Sequence, residues 1–117
     1  MIMTQKDLAE IVAKAWNTLD ATLIEPYLSD DYVYDSFWVF ETMKGKDDYM
    51  SYLKGKFDTI GKTGSKVDAG ILFQDKIDEY VVALGQDGVR DAALQIWTRN
   101  GKITHMWMRP IDMVGLK

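Results

Sequence analysis

The spacing of apolar residues predicts a helix near the start of the chain. Six apolar residues recur at steps of three and four positions, which places them on one face of a helix. Thr4 and Asp7 are a predicted capping pair at its start. Asp20 is placed to cap a second, shorter helix, which Pro26 bends or shortens because proline lacks a backbone N–H. These segments predict a helical hairpin; the six apolar positions are Leu8, Ile11, Val12, Ala15, Trp16 and Leu19.

The middle of the chain changes to strands and then returns to a helix. β-branched and aromatic residues are dense from Tyr32 to Phe40, which favours a strand followed by a shorter one, and "KGK" ends this stretch. Helical spacing returns between Asp47 and Ile60, with acidic residues at the N-terminal end. Gly61 is placed to end that helix.

The remainder of the chain predicts four strands joined by turns. The turn segments are "DKIDE", "DG" and "NG", and tight turns between consecutive strands make an antiparallel meander. A curved sheet preceded by helices must cover one of its faces with them, so the order of elements predicts a single α+β domain over residues 1–117. The predicted strands are Val67 to Gln74, Tyr80 to Gln86, Val89 to Arg99 and Ile103 to Arg109.

Composition narrows the classes of partner. The 117 residues are 47% hydrophobic, enough for one core, and carry 14 basic against 18 acidic residues, a net charge of -4. Without a basic run, nucleic acid is not an expected partner. The absence of cysteine excludes disulfides, thiolate metal sites and cysteine nucleophiles. The first ten residues lack a secretion pattern, and no run of apolar residues is long enough to span a membrane, so we expect a soluble, cytoplasmic protein without a membrane partner.

Four stretches in this order resemble the nuclear transport factor 2-like superfamily, which includes SnoaL-like polyketide cyclases, ketosteroid isomerase and scytalone dehydratase. They are "AWNTLD", "IEPYLSDDYVYDS", "MKGKDDYMSYLKGKF" and "IWTRNGKITHMWMRP". The resemblance covers nearly the whole chain. It implies a cone-shaped fold in which a curved, mixed sheet wraps around three helices. Because this fold supports both enzymes and binding modules, it does not by itself define a function.

Ketosteroid isomerase has a general base and two hydrogen-bond donors in its active site, and this chain resembles it in the general base alone. Asp35 matches the position of the general base. Val12 stands where that enzyme has a tyrosine donor, and Gln95 stands near its second, acidic donor. The dehydratase pattern requires paired histidines, whereas this chain has only His105. A lone histidine also makes no convincing metal site, so neither a metal nor another cofactor is expected.

Strand alternation leaves two interpretations of Asp35 open. Tyr34, Ser36 and Trp38 share one side of a regular strand, and Asp35 lies on the other. If Asp35 faces the interior, burial suits it to proton abstraction. If the Tyr-Ser-Trp side lines the pocket, Asp35 is solvated or pairs with a surface lysine.

The last strand predicts a surface for a second copy of the chain. Thr104, Met106 and Met108 share the side that the resemblance turns toward the cavity, and Ile103, His105, Trp107 and Arg109 share the other side. Because many members of the superfamily dimerise through the outer face of the sheet, the resemblance implies a homodimer with His105 and Trp107 at the interface. Proton transfer by His105 is the less favoured alternative.

The expected function is the binding of a small apolar or aromatic molecule in an apolar pocket. The first alternative is a cofactor-independent isomerase, dehydratase or cyclase that uses Asp35 as general base, and the second is a protein-interaction module. Whether the protein is an enzyme stays open. The same side chains could also simply fill the core. The pocket candidates are Trp16, Tyr34, Ser36, Trp38, Tyr49, Leu53, Phe57, Gln95, Trp97, Met106 and Met108.

Overall fold

The structure, a computed structural model, describes residues 3–37, 39–75 and 77–113. Two α-helices, three short 3₁₀ segments and six strands follow one another in the described chain. The predicted α+β architecture, a curved mixed sheet wrapped around the helical segments, is confirmed. The elements are α1 (Gln5–Thr18), 3₁₀ segments Ala21–Leu23 and Glu25–Tyr27, β1 (Leu28–Ser36), β2 (Val39–Lys44), α2 (Lys46–Thr63), β3 (Val67–Gln74), β4 (Glu79–Gln86), β5 (Val89–Arg99), β6 (Lys102–Pro110) and 3₁₀ segment Ile111–Met113.

Helix α1 begins at the predicted capping pair. The Asp7 amide donates to the Thr4 hydroxyl at 3.1 Å, and the Thr4 amide donates to the Asp7 carboxylate at 3.0 Å. Each side chain satisfies a backbone donor that the first helical turn leaves free. The helix ends at Leu19, which adopts a left-handed conformation with φ of 53°.

The prediction of a second α-helix is wrong. Two 3₁₀ turns occupy its place, the first capped by Asp20, whose carboxylate accepts from the Thr22 amide at 3.1 Å. Pro26 lies in the second turn, where its missing N–H prevents the i to i−4 bonds of a continuous helix. Strand β1 begins directly after this second turn, at Leu28.

The aromatic stretch forms a hairpin of two strands. The predicted strand begins earlier than Tyr32, at Leu28, and ends at Ser36, and the predicted shorter strand is β2, which returns antiparallel along β1. The sheet order is β2-β1-β6-β5-β4-β3. Only the β1–β6 pair is parallel in the described sheet, because β1 joins the last strand of the meander from the other end of the chain.

The prediction that α2 ends at Gly61 places the end of the helix three residues too early. Gly61 remains helical, and Gly64 takes the left-handed conformation that ends the helix, with φ of 74°. A glycine adopts this conformation without the steric conflict of a Cβ atom. The four predicted strands of the meander agree with β3 to β6 within one residue at each end.

A β-bulge in β6 changes which residues face the core. Trp97 pairs with His105 and Thr98 pairs with Ile103, so Thr104 has no opposite residue in the ladder. One extra residue reverses the alternation of side chains. Ile103 is therefore fully buried in the core, whereas an uninterrupted strand predicted it on the outer face with His105.

Candidate functional site

The two sides of β1 have different surroundings, which decides the orientation that alternation left open. Tyr32 and Tyr34 point toward α2 and are buried, with ring centroids 4.9 and 4.8 Å from that of Tyr49. Asp35 lies on the other side of the strand. The Tyr34 side therefore faces the helices, and the Asp35 side is the outer face of the sheet.

A cluster of four tyrosines fills this part of the interior. Tyr32 and Tyr34 come from β1, and Tyr49 and Tyr52 come from α2, where they lie three residues apart on one face. Burial raises the pKa of Tyr32, Tyr34 and Tyr49 above the ordinary tyrosine value, because a buried phenolate loses its hydration. The three buried members of the cluster are part of the packed core.

Asp35 pairs with His105 on the outer face. Its Oδ2 lies 2.7 Å from Nε2 of His105, and the Thr42 hydroxyl donates to its other oxygen. The His105 ring also stacks on Trp97, with centroids 4.5 Å apart. The carboxylate of Asp35 therefore lies across the sheet from the interior, whereas the general-base interpretation requires it to face the interior.

Gln95 and Trp97 are also on the outer face, not in the interior as expected. Gln95 pairs in the ladder with Trp107, and its side-chain oxygen accepts a hydrogen bond from Arg109. The Arg109 guanidinium lies over the Trp107 ring, 4.3 Å from its centroid. Gln95 is buried although it is on this face, so polarity alone did not indicate its side of β5.

The other predicted pocket residues that the structure describes lie in or near the core. Trp16 and Phe57 meet edge to face, with centroids 4.9 Å apart. Ser36, at the end of β1, pairs in the ladder with Met108. Trp38 lies outside the described residues. The candidates that are buried in the main core are Trp16, Tyr34, Tyr49, Leu53, Phe57, Met106 and Met108.

Trp16 and Met108 line a cleft of about 160 Å³ at the mouth of the curved sheet. Its walls come from α1, α2 and the four strands from β3 to β6. The pairing of β4 with β5 has a register shift beside Leu84, one of the lining residues. The apolar residues that line it are Trp16, Ile60, Val67, Leu84, Ala92 and Met108.

Sequence reasoning selected two of these six apolar residues as pocket candidates. Ile60 could have been found, since it continues the apolar stripe of α2 through Phe57. Leu84 is an inward position of β4 and carried no feature that separated it from other core residues. Val67 and Ala92 lie at the cleft because the sheet is curved, and the periodicity of apolar residues does not predict that curvature.

Three polar residues also line the cleft, one of them half-buried. Lys56 comes from α2, one helical turn before Ile60. Gln86 and Asp91 are exposed and come from β4 and β5. The site therefore has an apolar interior with a few polar groups, the composition typical of small-ligand pockets.

A larger groove of about 500 Å³ runs between α2 and the first 3₁₀ segment. It is more open to solvent than the cleft, and Lys54, Asp58 and Lys62 line it. Lys62 and Asp58 already form an exposed ion pair at 3.0 Å. We regard it as a solvated surface groove, because little of a small molecule would be buried there.

Within residues 3–37, 39–75 and 77–113, no group of three histidine or acidic side chains could hold a metal ion. None of the helices in these ranges is long and apolar enough to span a membrane. The residues that line the cleft can supply apolar contact, hydrogen bonds and charge.

Comparison with known proteins supports the fold. No protein-family model matches the chain, and no curated protein matches it. Among solved structures, a SnoaL-like protein of unknown function from Burkholderia thailandensis is 13% identical with a TM-score of 0.70, over 91% of this chain and 93% of that one. An NTF2-like protein of unknown function from Cytophaga hutchinsonii is 14% identical with a TM-score of 0.63, over 94% and 92%.

A third solved structure has an enzymatic description. It is an LEH-like epoxide hydrolase from M. tuberculosis, 18% identical with a TM-score of 0.58, over 89% of this chain and 80% of that one. At these identities the likeness shows the shared NTF2-like, SnoaL-like cone fold. The activity of such a neighbour is a property of that protein and is not transferred by the fold.

Proposed function

We propose that this protein binds a small apolar or aromatic molecule in the cleft between Trp16 and Met108. The observation that carries this proposal is the apolar cleft itself, whose walls are assembled from both helices and four strands. The part of these apolar side chains that lines the cleft contacts water unless a ligand covers it, and covering it is favourable.

The volume of the cleft limits the ligand. Drug-sized ligands occupy pockets of roughly 300–1,000 Å³, whereas an apolar cavity of roughly 150 Å³ accommodates benzene. At about 160 Å³, the cleft suits a molecule with a single ring. A steroid or an extended polyketide would require the walls to move apart.

Binding is favoured over proton transfer by the position of the acid. A general base must lie within hydrogen-bond reach of the proton that it removes. Asp35, the residue on which the enzymatic alternative depends, is on the outer face and is held by His105 and Thr42. The interaction-module alternative has less support, since it requires a filled cone without a cleft.

Calorimetric titration with single-ring compounds tests the proposal. We expect benzamide or toluene to bind and to raise the melting temperature without being converted. Ala92→Leu, which fills part of the cleft, should weaken binding by about tenfold or more through steric conflict. Ser51→Leu adds the same side chain on the exposed face of α2 and is the matched control. Unchanged binding by Ala92→Leu would contradict the proposed location.

We also propose that two copies of the chain associate through the outer face of the sheet. Trp107 and Phe37 are exposed apolar residues, and Trp107 is on this face beside His105 and Arg109. Large exposed aromatic residues next to arginine are typical of interface centres. Sedimentation tests the association.

We propose further that the protein works in the cytoplasm, and cell fractionation tests this location.

A further inference from the structure

Two charged residues line the cleft, and neither has an ion-pair partner among the described residues. The ion pairs of the described chain include neither Lys56 nor Asp91. Asp91 is exposed, whereas Lys56 is half-buried. A charge that is shielded from water acts over a short distance with less screening than an exposed charge.

Lys56 has an aromatic ring and no acidic ion-pair partner near its ammonium among the described residues. Its Nζ lies 6.0 Å from the centroid of the Tyr52 ring, at the outer limit of a cation–π contact. Its alkyl stem is on the same face of α2 as Ile60, one turn away, where a long side chain can extend the apolar wall. The cleft therefore combines a ring-sized apolar interior with a lysine in its wall.

The balance between the two charges decides the sign of the preferred ligand. Asp91 opposes an anion, but its exposure lets solvent and salt screen it. The net charge of -4 also opposes anions in general, so a preference for an anion would have to come from a local cation. Lys56 is the cation that lines this cleft.

We infer that the preferred ligand is a single-ring carboxylate, with its ring in the apolar cleft and its carboxylate paired with the Lys56 ammonium. This inference rests on the proposed function and adds the chemical class of the ligand. A carboxylate accepts charge-assisted hydrogen bonds from an ammonium group, and these are stronger than hydrogen bonds between neutral groups. The apolar wall recognises the ring, and Lys56 distinguishes an acid from its neutral analogue.

Benzoate and benzamide form a matched pair of probes, because they have nearly the same shape and differ in charge. Calorimetric titration of the full chain at low salt should give benzoate roughly two- to fivefold tighter binding than benzamide, the effect of one partly exposed ion pair. The preference should shrink as salt is added. Asp91→Asn should strengthen benzoate binding by about twofold through loss of a like charge.

Lys56→Met tests the role of the ammonium while retaining a long apolar side chain. We expect this variant to bind both probes with the affinity that the wild type has for benzamide. Lys56→Arg should restore the preference, since it restores the charge. Circular dichroism and the melting temperature of each variant establish that the comparison is made on folded protein.

The outcomes separate this inference from the proposed function. If both probes bind equally and Lys56→Met changes neither affinity, the carboxylate inference is overturned and the binding cleft stands. If benzylamine binds more tightly than benzoate and Asp91→Asn removes that difference, the inference is overturned in favour of a cationic ligand. If none of the three compounds binds, the proposed function fails together with the inference.

Discussion

Single residues of β1 show how one strand serves two different surfaces. Tyr34 is buried against α2, and Asp35, the next residue, reaches the outer face to pair with His105. Alternation in the sequence established that these side chains point to opposite sides. It could not establish which side faces the helices, because both sides of the strand carry apolar residues. The position of α2 decides this, and it is a tertiary property.

The tyrosine cluster predicts loss of stability at high pH. Tyr32, Tyr34 and Tyr49 have pKa values raised by burial, so the folded protein keeps their protons while the unfolded chain releases them above roughly pH 10. The unfolded state then binds fewer protons, and the free energy of unfolding falls as pH rises. Three such groups give a slope of up to about 4 kcal/mol per pH unit.

Urea unfolding between neutral and strongly alkaline pH measures this slope. In Tyr49→Phe the slope should be about one third smaller, because one of three titrating groups is gone. Tyr27→Phe is outside the cluster and serves as the control. Equal slopes in the wild type and in Tyr49→Phe would show that burial of this phenol does not govern alkaline unfolding.

Asp35→Asn should leave ligand binding in the cleft unchanged. The carboxylate is on the outer face, so its charge contributes little across the sheet. Stability should fall by about 0.2–1 kcal/mol, because the pair with His105 is partly exposed. Asp31→Asn, which affects the exposed pair with Arg99, is a matched control on the same strand. A large loss of benzamide affinity in Asp35→Asn alone would indicate that Asp35 belongs to the binding site and would contradict this prediction.

Helix α1 is fastened to the sheet at both ends by amide side chains. Near its start, Gln5 accepts from the Tyr80 amide at 2.9 Å and donates to the Tyr80 carbonyl at 2.7 Å, just beyond the end of the β4–β5 ladder. Near its end, Asn17 makes the same pair of bonds with Ala69 on the edge strand β3, both at 2.8 Å. These bonds hold the helix that contributes Trp16 to the cleft.

Gln5→Ala and Asn17→Ala should each lower the free energy of unfolding by about 1–3 kcal/mol, because each leaves a backbone donor and acceptor without a partner. The two ends of the helix are about 18 Å apart, so the effects should add. Denaturant unfolding measures both. Lys14→Ala, on the exposed face of α1, should change stability by less than about 0.5 kcal/mol. Comparable losses in all three variants would contradict the fastening role.

Periodicity predicted the two α-helices and the four strands of the meander, since each has a long stretch with one apolar side. It failed where one residue changes the geometry. Pro26 limits the second helical segment to 3₁₀ turns, and the bulge at Thr104 turns Ile103 inward. The sequence pattern predicted that Gly61 ends α2, whereas the left-handed conformation at Gly64 shows that the helix continues to this second glycine.

For the whole molecule, sheet curvature explains why the site was harder to predict than the fold. The order of helices and strands follows from local patterns, whereas the cleft joins residues as distant in sequence as Trp16 and Met108. Ala92 lies there because β5 bends past a register shift in its pairing with β4. Sequence patterns report which residues are apolar, and the curvature of the sheet selects those that line a cleft.

Association through the outer face makes a prediction for the assembled protein. Trp107→Glu should convert the proposed dimer to a monomer, since it places a charge in an apolar contact on both copies. Phe73→Glu introduces the same charge at another exposed aromatic residue, on the opposite side of the sheet, and should leave the dimer intact. Sedimentation equilibrium distinguishes the two results, and a monomeric wild type would refute the proposed interface.

The central claim is that the cleft binds a small single-ring molecule, and mapping the backbone amide NMR shifts during a benzamide titration tests it most directly. We expect saturable shifts concentrated at Ile60, Val67, Ala92 and Met108, the residues that line the cleft. The amides of His105 and Trp107, on the outer face, should move far less. An absence of shifts, or shifts centred on His105 and Trp107, would contradict the claim.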